Sequence, residues 1–182
     1  FDVSHMGEFL ISGPESTSFL NYICSNNIKN IKIGRAQYNL LINQNGGIID
    51  DLIVYKTSNY EYMLVVNAAN IKKDYDWIKK NINGFKCEIN DKSDDLGLIS
   101  VQGPNSTKLL NDVFKDVNIR ELSRFYFKKF ENRVKYKNEI IISKTGYTGS
   151  EGYEIYISNK DITVLWNQLL NLNDKYNLMA TG

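Results

Sequence analysis

The sequence has little of the chemistry on which nucleophilic and metal-dependent enzymes rely. It contains one histidine, His5, and two cysteines, Cys24 and Cys87, in 182 residues. A Ser-His-Asp or Cys-His arrangement would have to include His5, and a lone histidine is more often a structural residue than a base. The cysteines form no CxxC pair and lie in apolar contexts, which indicates reduced thiols that serve as small hydrophobic side chains. We expect neither a nucleophilic triad nor a bound metal.

The sequence also lacks an excess of charge of one sign and any long apolar run. Its net charge is +1, with Lys and Arg interspersed among acidic residues and Asn, which argues against a nucleic-acid partner. No apolar run approaches the roughly 20 residues of a membrane span, and we expect no signal peptide. Because Phe1 is not an initiator methionine and Gly182 follows no cap or tail, we expect a soluble fragment of a longer protein.

The main organising feature of the sequence is an internal repeat. Residues 8–12 lead into Gly13-Pro14, and residues 96–102 lead into Gly103-Pro104, 90 positions later. Each glycine permits a tight exit from a strand, and each proline fits the first turn of a helix, where a missing N–H costs nothing. The apolar positions of the helices that follow are Phe19, Leu20 and Ile23 in the first copy and Leu109, Leu110 and Phe114 in the second.

The order of elements after these helices repeats as well. Apolar alternation predicts strands at residues 36–43, 48–56 and 62–67, and again at 124–130, 139–143 and 153–157. An amphipathic helix follows each set, at residues 69–80 and 161–172, with apolar faces formed by Ile71, Tyr75 and Ile78 and by Ile162, Leu165, Trp166 and Leu169. We predict an α+β fold of two pseudo-repeated units, approximately 1–84 and 85–182, with mainly antiparallel sheets flanked by helices.

The most informative stretch runs from Asn45 to Tyr55, where two adjacent carboxylates enter a strand of β-branched apolar residues. Its glycine pair, Gly46-Gly47, predicts a hairpin turn before a half-buried strand. Side chains alternate between the faces of a strand, so one of Asp50 and Asp51 points toward the packed side. A buried carboxylate needs donors, a cation or a ligand, whereas the alternative, a turn-associated aspartate, is satisfied by nearby backbone amides.

A second informative stretch combines three glycines with an aromatic ring and a carboxylate. The loop at residues 144–152 presents Tyr147, and the strand after it places Glu154 and Tyr156 on one face. No helix begins after this loop, so it is no phosphate cradle for a dinucleotide. A ring plane beside a carboxylate suits a flat heterocycle, because a carboxylate accepts two parallel hydrogen bonds from a 2-amino-amide edge. The alternative is a solvent-facing glutamate on an ordinary hairpin.

Five short motifs follow one another along the chain. They are FDVSHMG at residues 1–7, GGIIDDLIVY at 46–55, VVNAAN at 65–70, QGP at 102–104 and TGYTG at 145–149. Together, and in this order, they closely resemble the aminomethyltransferase family, the T protein of the glycine cleavage system. The resemblance covers essentially the whole chain and implies a folate-binding fold of two related α+β units, with an N-terminal piece and a C-terminal barrel-bearing part absent.

The resemblance also implies a reaction and its partners. In that family an aminomethyl group, held as a thioether on the lipoyl arm of the H protein, passes to tetrahydrofolate as co-substrate, which gives ammonia and 5,10-methylenetetrahydrofolate. It implies that Asp51 is the catalytic residue, stabilising the cationic one-carbon unit near the folate N5 and N10, and that Glu154 holds the pterin edge. The residues implied to line the folate slot are Tyr147, Asn67, Tyr38, Tyr55 and Met6. Bacterial cytoplasm and mitochondrial matrix are the implied compartments.

The chain departs from the family pattern in two places. Ser150-Glu151 stands where an acidic pair is common, and Arg124-Phe125 stands where a pair of aromatic residues is expected. These changes affect contacts with folate rather than the reaction class. The alternatives are the folate domain of a sarcosine or dimethylglycine dehydrogenase, a folate-binding iron–sulfur assembly factor, and a folate-binding module without turnover.

Overall fold

The computed structural model describes residues 1–131, 135, 136 and 138–182. The chain forms two compact units, a first unit of His5–Asp94 and a second unit of Phe1–Ser4 with Asp95–Gly182. The described strands are β1 (Gly7–Ser12), β2 (Ala36–Ile42), β3 (Ile48–Lys56), β4 (Glu61–Val66), β5 (Glu88–Asp91), β6 (Leu96–Gln102), β7 (Phe127–Glu131), β8 (Glu139–Ser143) and β9 (Gly152–Ser158). The described α-helices are α1 (Ser16–Ile23), α2 (Ile71–Asn81), α3 (Ser106–Val113), α4 (Ile162–Leu170) and α5 (Asn173–Tyr176).

The first unit, all of whose residues are described, is a five-stranded antiparallel sheet with two helices on one face. The strand order is β2-β3-β4-β1-β5. Alternate residues of the central strands, among them Phe9, Leu64 and Val66, pack against Phe19 and Leu20 of α1 and Ile78 of α2 to form its core. This face is the helix-covered face, and the opposite face carries the other set of alternating side chains.

The second unit has the same construction over its described residues. Its antiparallel sheet has the strand order β6-β9-β8-β7. Ile99, Ile142 and Ile155 pack against Leu110 of α3 and Leu165 of α4 in a second core. The predicted α+β class with antiparallel sheets flanked by helices is therefore confirmed.

Most of the predicted element boundaries agree with the structure. Strands β3 and β8 have the predicted bounds, because apolar alternation is strong there. The turn before β3 forms as predicted, with Gly46 at a φ of +77° and the Asn43 side chain accepting from the Gly47 N–H at 2.9 Å. Strand β7 begins three residues later than predicted, since Phe125 has a φ of 62° and interrupts extended backbone. Strand β5 is not predicted by the sequence pattern.

The two prolines lie outside their helices, which corrects the prediction that each sits in a first helical turn. Helix α1 begins at Ser16 and α3 at Ser106, two residues after Pro14 and Pro104. The glycine before each proline does turn the chain, with φ values of +132° at Gly13 and +116° at Gly103. The Gly-Pro pair is therefore a strand-to-helix turn rather than a helix start.

Matched hydrogen bonds support the proposed internal repeat. The Thr17 and Tyr62 hydroxyls lie 2.7 Å apart in the first unit, and those of Thr107 and Tyr153 lie 2.9 Å apart in the second. In each unit the hydroxyl pair joins a helix to the strand that packs beneath it. An asparagine on the same helix then accepts from a backbone N–H in the turn that follows, Ile28 N to Asn21 Oδ1 and Ile119 N to Asn111 Oδ1.

Replacing Thr17 with valine is expected to lower the free energy of unfolding by about 1 kcal/mol, because the buried Tyr62 hydroxyl loses its partner while the side-chain volume is kept. Urea denaturation followed by circular dichroism measures the change. Thr163→Val is the matched control, since Thr163 is an exposed residue of α4. Equal midpoints for the two variants would contradict a stabilising role for the hydroxyl pair.

Both cysteines are free thiols of the first unit. Cys24 lies in the core, where burial raises its pKa to about 12, and burial also raises the pKa of Cys87. A thiol with a raised pKa is a poor nucleophile at neutral pH. Among the described residues, no helix is both long and apolar enough to cross a membrane.

Candidate functional site

Strand β3 carries its two adjacent aspartates to opposite faces of the first unit's sheet. Asp50 is buried, with 7% of its surface exposed, and it alternates with Leu52 and Val54 of the core. Asp51 is half-buried on the other face. The prediction that one of the pair points toward the packed side is confirmed, and the inward residue is Asp50.

Asn67, at the end of β4, joins the two carboxylates. Its Nδ2 lies 3.0 Å from Asp50 Oδ1, 3.0 Å from Asp51 Oδ1 and 3.1 Å from the Asp51 carbonyl oxygen. One amide group therefore contacts both carboxylates of the pair and the carbonyl oxygen of Asp51. This arrangement fixes Asp51, because its carboxylate and its main chain share one donor.

A third aspartate, Asp74 of α2, lies on the inner side of Asp50. It is fully buried, and its side chain interacts with that of Asp50. Burial, the interaction with the Asp50 side chain and the negative charges of Asp50 and Asp51 together raise the pKa of Asp74 to about 8, and the charge of Lys73 opposes them. Burial also raises the pKa of Asp50, but hydrogen bonds from Asp74, Asn67 and Asn70 outweigh it and hold that pKa below its ordinary value.

None of the sequence motifs includes Asp74, but the apolar periodicity of α2 could have identified it. Position 74 falls between Ile71, Tyr75 and Ile78 on the apolar face of α2, at helical spacing. A carboxyl group inside such a stripe is expensive to bury unless it is paired or protonated. The periodic pattern therefore marks Asp74 as a residue with a partner.

Two of the tyrosines assigned to the folate slot share a sheet face with Asp51. Leu40 of β2 pairs with Asp51, Tyr38 pairs with Ile53, and Ala36 pairs with Tyr55. Alternation along both strands puts Tyr38, Asp51 and Tyr55 on the face opposite the helix-covered one. Tyr38 is 48% exposed and Tyr55 is fully buried, so only Tyr38 offers an open ring.

Of the other assigned residues, Met6 belongs to the first unit, and Glu154 and Tyr147 belong to the second. Met6 is half-buried in the turn immediately before β1. Glu154 of β9 is half-buried, and it lies opposite Ser100 of β6 and Ser143 of β8. Tyr147 is at the tip of the glycine-rich loop with 96% of its surface exposed.

Hydroxyl groups hold the Glu154 carboxylate. Thr145 donates to Glu154 Oε2, and the Tyr156 hydroxyl donates to the same oxygen at 3.4 Å, which confirms that Glu154 and Tyr156 share a face. The Ser143 and Thr145 hydroxyls lie 3.1 Å apart. Thr145 has one proton, so Ser143 donates to Thr145 while Thr145 donates to Glu154. The hydroxyl groups of Ser143, Thr145 and Tyr156 thus orient the Glu154 carboxylate.

Close backbone contact shapes the loop before Glu154. A Cβ atom at Gly146 would lie 2.6 Å from the Gly152 Cα, so the two ends of the loop meet only because glycine stands there. Lys144 pairs with Glu151 at 3.0 Å across the same loop. Glu151, one of the departures from the family pattern, therefore closes the loop. At the other departure, the Arg124 guanidinium carbon lies over the Phe125 ring, 5.7 Å from the ring centroid.

Two remaining features concern the single histidine and the groups of side chains that could bind a metal ion. His5 is exposed in the turn before Met6. The part of the chain that the structure describes contains no group of three or more His, Cys, Asp or Glu side chains that could hold a metal ion.

Comparison with known proteins identifies the family. The family model of the GCVT N-terminal domain matches residues 1–182. The aminomethyltransferase of Thermotoga sp. (strain RQ2) is 45% identical over 182 residues, 100% of this chain and 49% of that protein. The aminomethyltransferase of Listeria innocua is 46% identical over 170 residues, 93% of this chain and 46% of that protein. The chain spans about half the length of the curated relatives it matches.

Solved structures agree with the sequence match. Glycine cleavage system aminomethyltransferase T from Bartonella henselae superposes with a TM-score of 0.82 at 32% identity, covering 93% of this chain and 44% of that one. Heterotetrameric sarcosine oxidase from Corynebacterium sp. U-96 superposes with a TM-score of 0.68 at 12% identity, covering 100% of this chain and 86% of that one, and shares the fold alone. The matched domain and the close relatives together place this chain in the GCVT N-terminal domain family.

Proposed function

We propose that the protein containing this chain transfers a one-carbon unit from the aminomethyl-lipoyl arm of the H protein to tetrahydrofolate. The C–S and C–N bonds of the aminomethyl thioether break, and the carbon forms bonds to N5 and N10 of folate. The two N–H protons of folate pass to the sulfur and to the leaving nitrogen. The products are the dihydrolipoyl dithiol, ammonia and 5,10-methylenetetrahydrofolate.

The observation that carries the proposal is the placement of Asp51. Its carboxylate lies on the sheet face opposite the helix-covered one, the face that also carries Tyr38, and the Asn67 amide holds it at 3.0 Å. Relatives that are 42–46% identical, including those from Thermotoga and Listeria, are aminomethyltransferases. A carboxylate held in a fixed orientation is the device that this reaction needs.

The chemistry explains why the anion matters. Positive charge develops on the one-carbon unit as its bond to sulfur or nitrogen breaks, and a carboxylate that is already oriented stabilises that charge without further reorganisation. The same carboxylate is suited to accept a proton from a folate nitrogen as that nitrogen attacks. Asp51 therefore acts by electrostatic stabilisation, with proton transfer as a second role.

Glu154 is proposed to recognise the pterin ring. The pterin edge presents parallel N–H donors, and a carboxylate accepts two such bonds at once. Thr145 and Tyr156 fix one of the Glu154 oxygens and so preset its plane. Tyr147, Tyr38, Tyr55, Asn67 and Met6 are proposed to contact the rest of tetrahydrofolate.

The test separates binding from transfer. Tetrahydrofolate is titrated onto the chain by calorimetry, and the complete protein is mixed with aminomethyl-loaded H protein while methylenetetrahydrofolate is measured. We expect saturable binding and turnover that needs both substrates. Binding without turnover would contradict the transferase proposal and favour a folate-binding module, whereas turnover only with a flavin-linked demethylase would favour the dehydrogenase alternative.

A further inference from the structure

Asp74 is a buried carboxyl group at a helix position that holds an apolar residue in the second unit. It is the fourth residue of α2, and the fourth residue of α4 in the second unit is Leu165. Both side chains are fully buried against their sheets. Since an apolar residue fills this position in one unit, packing alone gives no reason for a carboxyl group in the other.

The contacts of Asp74 and Asp50 require a proton between them. Their side chains interact with each other, and no N–H or O–H donor of the described residues reaches Asp74 Oδ1, Asp74 Oδ2 or Asp50 Oδ2. Two ionised carboxylates offer only acceptors, so these buried oxygens can form a hydrogen bond with each other only when one of the two groups is protonated. Because the pKa of Asp74 is raised and that of Asp50 is lowered, Asp74 is the partner that carries the proton.

The other oxygen of Asp50 connects this pair to the candidate site. Asp50 Oδ1 accepts from Asn67 Nδ2, and the same amide nitrogen donates to Asp51 Oδ1. The charged groups that act on Asp74 are Asp50 and Asp51 of β3 and its own neighbour Lys73, whose Nζ bonds the Ile49 carbonyl oxygen at 2.7 Å. A continuous chain of contacts therefore runs from Asp74 through Asp50 and Asn67 to Asp51.

We propose that Asp74 is a positioning residue for Asp51: it shares one proton with Asp50, and the anchored Asp50 holds the Asn67 amide against the Asp51 carboxylate. The role of Asp51 in transfer rests on the function proposed above. The proton-sharing pair and the orientation of Asp51 do not depend on that function, so they are tested separately from it.

The direct test is a carboxyl titration by NMR of the complete protein labelled with ¹³C-aspartate. We expect one aspartate signal, assigned to Asp74 by its loss in Asp74→Asn, to remain protonated through neutral pH and to titrate near the value of about 8. Titration of that signal in the ordinary acid range would overturn the shared proton. The Asp51 signal should keep its shift in Asp74→Asn and change in Asp74→Ala, and an unchanged signal in both variants would overturn the positioning role.

Stability gives a second readout that does not involve turnover. The folded state keeps the Asp74 proton up to about pH 8, whereas the unfolded chain releases it near its ordinary pKa, so raising the pH between these values favours unfolding. The gain in melting temperature of Asp74→Asn over the wild type should therefore grow from pH 5 to pH 8 and then level off. A gain that is independent of pH would contradict the proposal.

Turnover provides the functional readout, with Asp76→Asn as control because Asp76 is an exposed residue of the same helix. Asparagine can still donate to Asp50, so Asp74→Asn should keep the wild-type kcat at neutral pH and lose the decline in kcat above pH 8. Asp74→Ala should lower kcat by about tenfold or more at every pH with little change in the KM for tetrahydrofolate. Equal losses in both variants would overturn the proposal, whereas a wild type without turnover but with the expected NMR titration would refute only the proposed function.

Discussion

Replacing Asp51 with asparagine is expected to lower the rate of one-carbon transfer by roughly 10²–10³-fold, the usual effect of removing a preorganised electrostatic group from an active site. Asparagine keeps the size of the side chain and still offers an oxygen to Asn67 Nδ2, which lies 3.0 Å from Asp51 Oδ1 in the wild type. The negative charge that stabilises the developing cation is lost. Single-turnover measurements with aminomethyl-loaded H protein report the chemical step directly.

Binding and folding controls make this result specific. The dissociation constant of tetrahydrofolate should change little in Asp51→Asn, because the pterin edge is assigned to Glu154. Asp76→Asn, an exposed substitution in the same unit, should leave the rate unchanged. Rates in Asp51→Asn equal to the wild type, or a loss explained wholly by weaker folate binding, would rule out a catalytic role for Asp51.

Local signals account for most of what the sequence predicts correctly. Strands β3 and β8 are found with their predicted bounds because β-branched residues alternate there between clear turn residues. Strand β5 has four residues and only Ile89 in contact with the core, so its pairing with β1 comes from tertiary structure rather than from pattern. Phe125 in a left-handed conformation is equally invisible to periodicity.

The candidate site also combines features that the sequence predicts with features that only tertiary packing determines. That one of two adjacent aspartates must face inward follows from strand geometry alone, but which one does so depends on the register of β3 against β2, which shifts between Leu41 and Ile42. Asp74 joins Asp50 only when α2 packs on the sheet, and the Thr145 hydrogen bond to Glu154 forms only when the loop closes at Gly146. Sequence motifs therefore identify the candidate site residues, whereas tertiary packing determines which neighbouring side chains orient those residues.

Replacing Glu154 with glutamine is expected to weaken tetrahydrofolate binding by about 10- to 100-fold, the equivalent of losing a charge-assisted hydrogen bond worth about 1.5–3 kcal/mol. Thr145 donates to one oxygen of Glu154 in the wild type, and it would retain the amide oxygen of the glutamine. The glutamine NH₂ group would then face the pterin donors, so two donors would oppose each other where the wild type pairs an acceptor with a donor. Calorimetric titration measures the dissociation constant.

The effect should be confined to affinity, since Glu154 is assigned to the pterin edge and not to the reacting carbon. At saturating tetrahydrofolate the transfer rate of Glu154→Gln should approach the wild-type rate, the reverse of the pattern expected for Asp51→Asn. Glu121→Gln is the matched control, because Glu121 lies in the same unit with 70% of its side chain exposed and only a 3.8 Å contact to Lys128. If Glu154→Gln binds as tightly as Glu121→Gln, the carboxylate faces solvent as on an ordinary hairpin, and the pterin must be held by other residues.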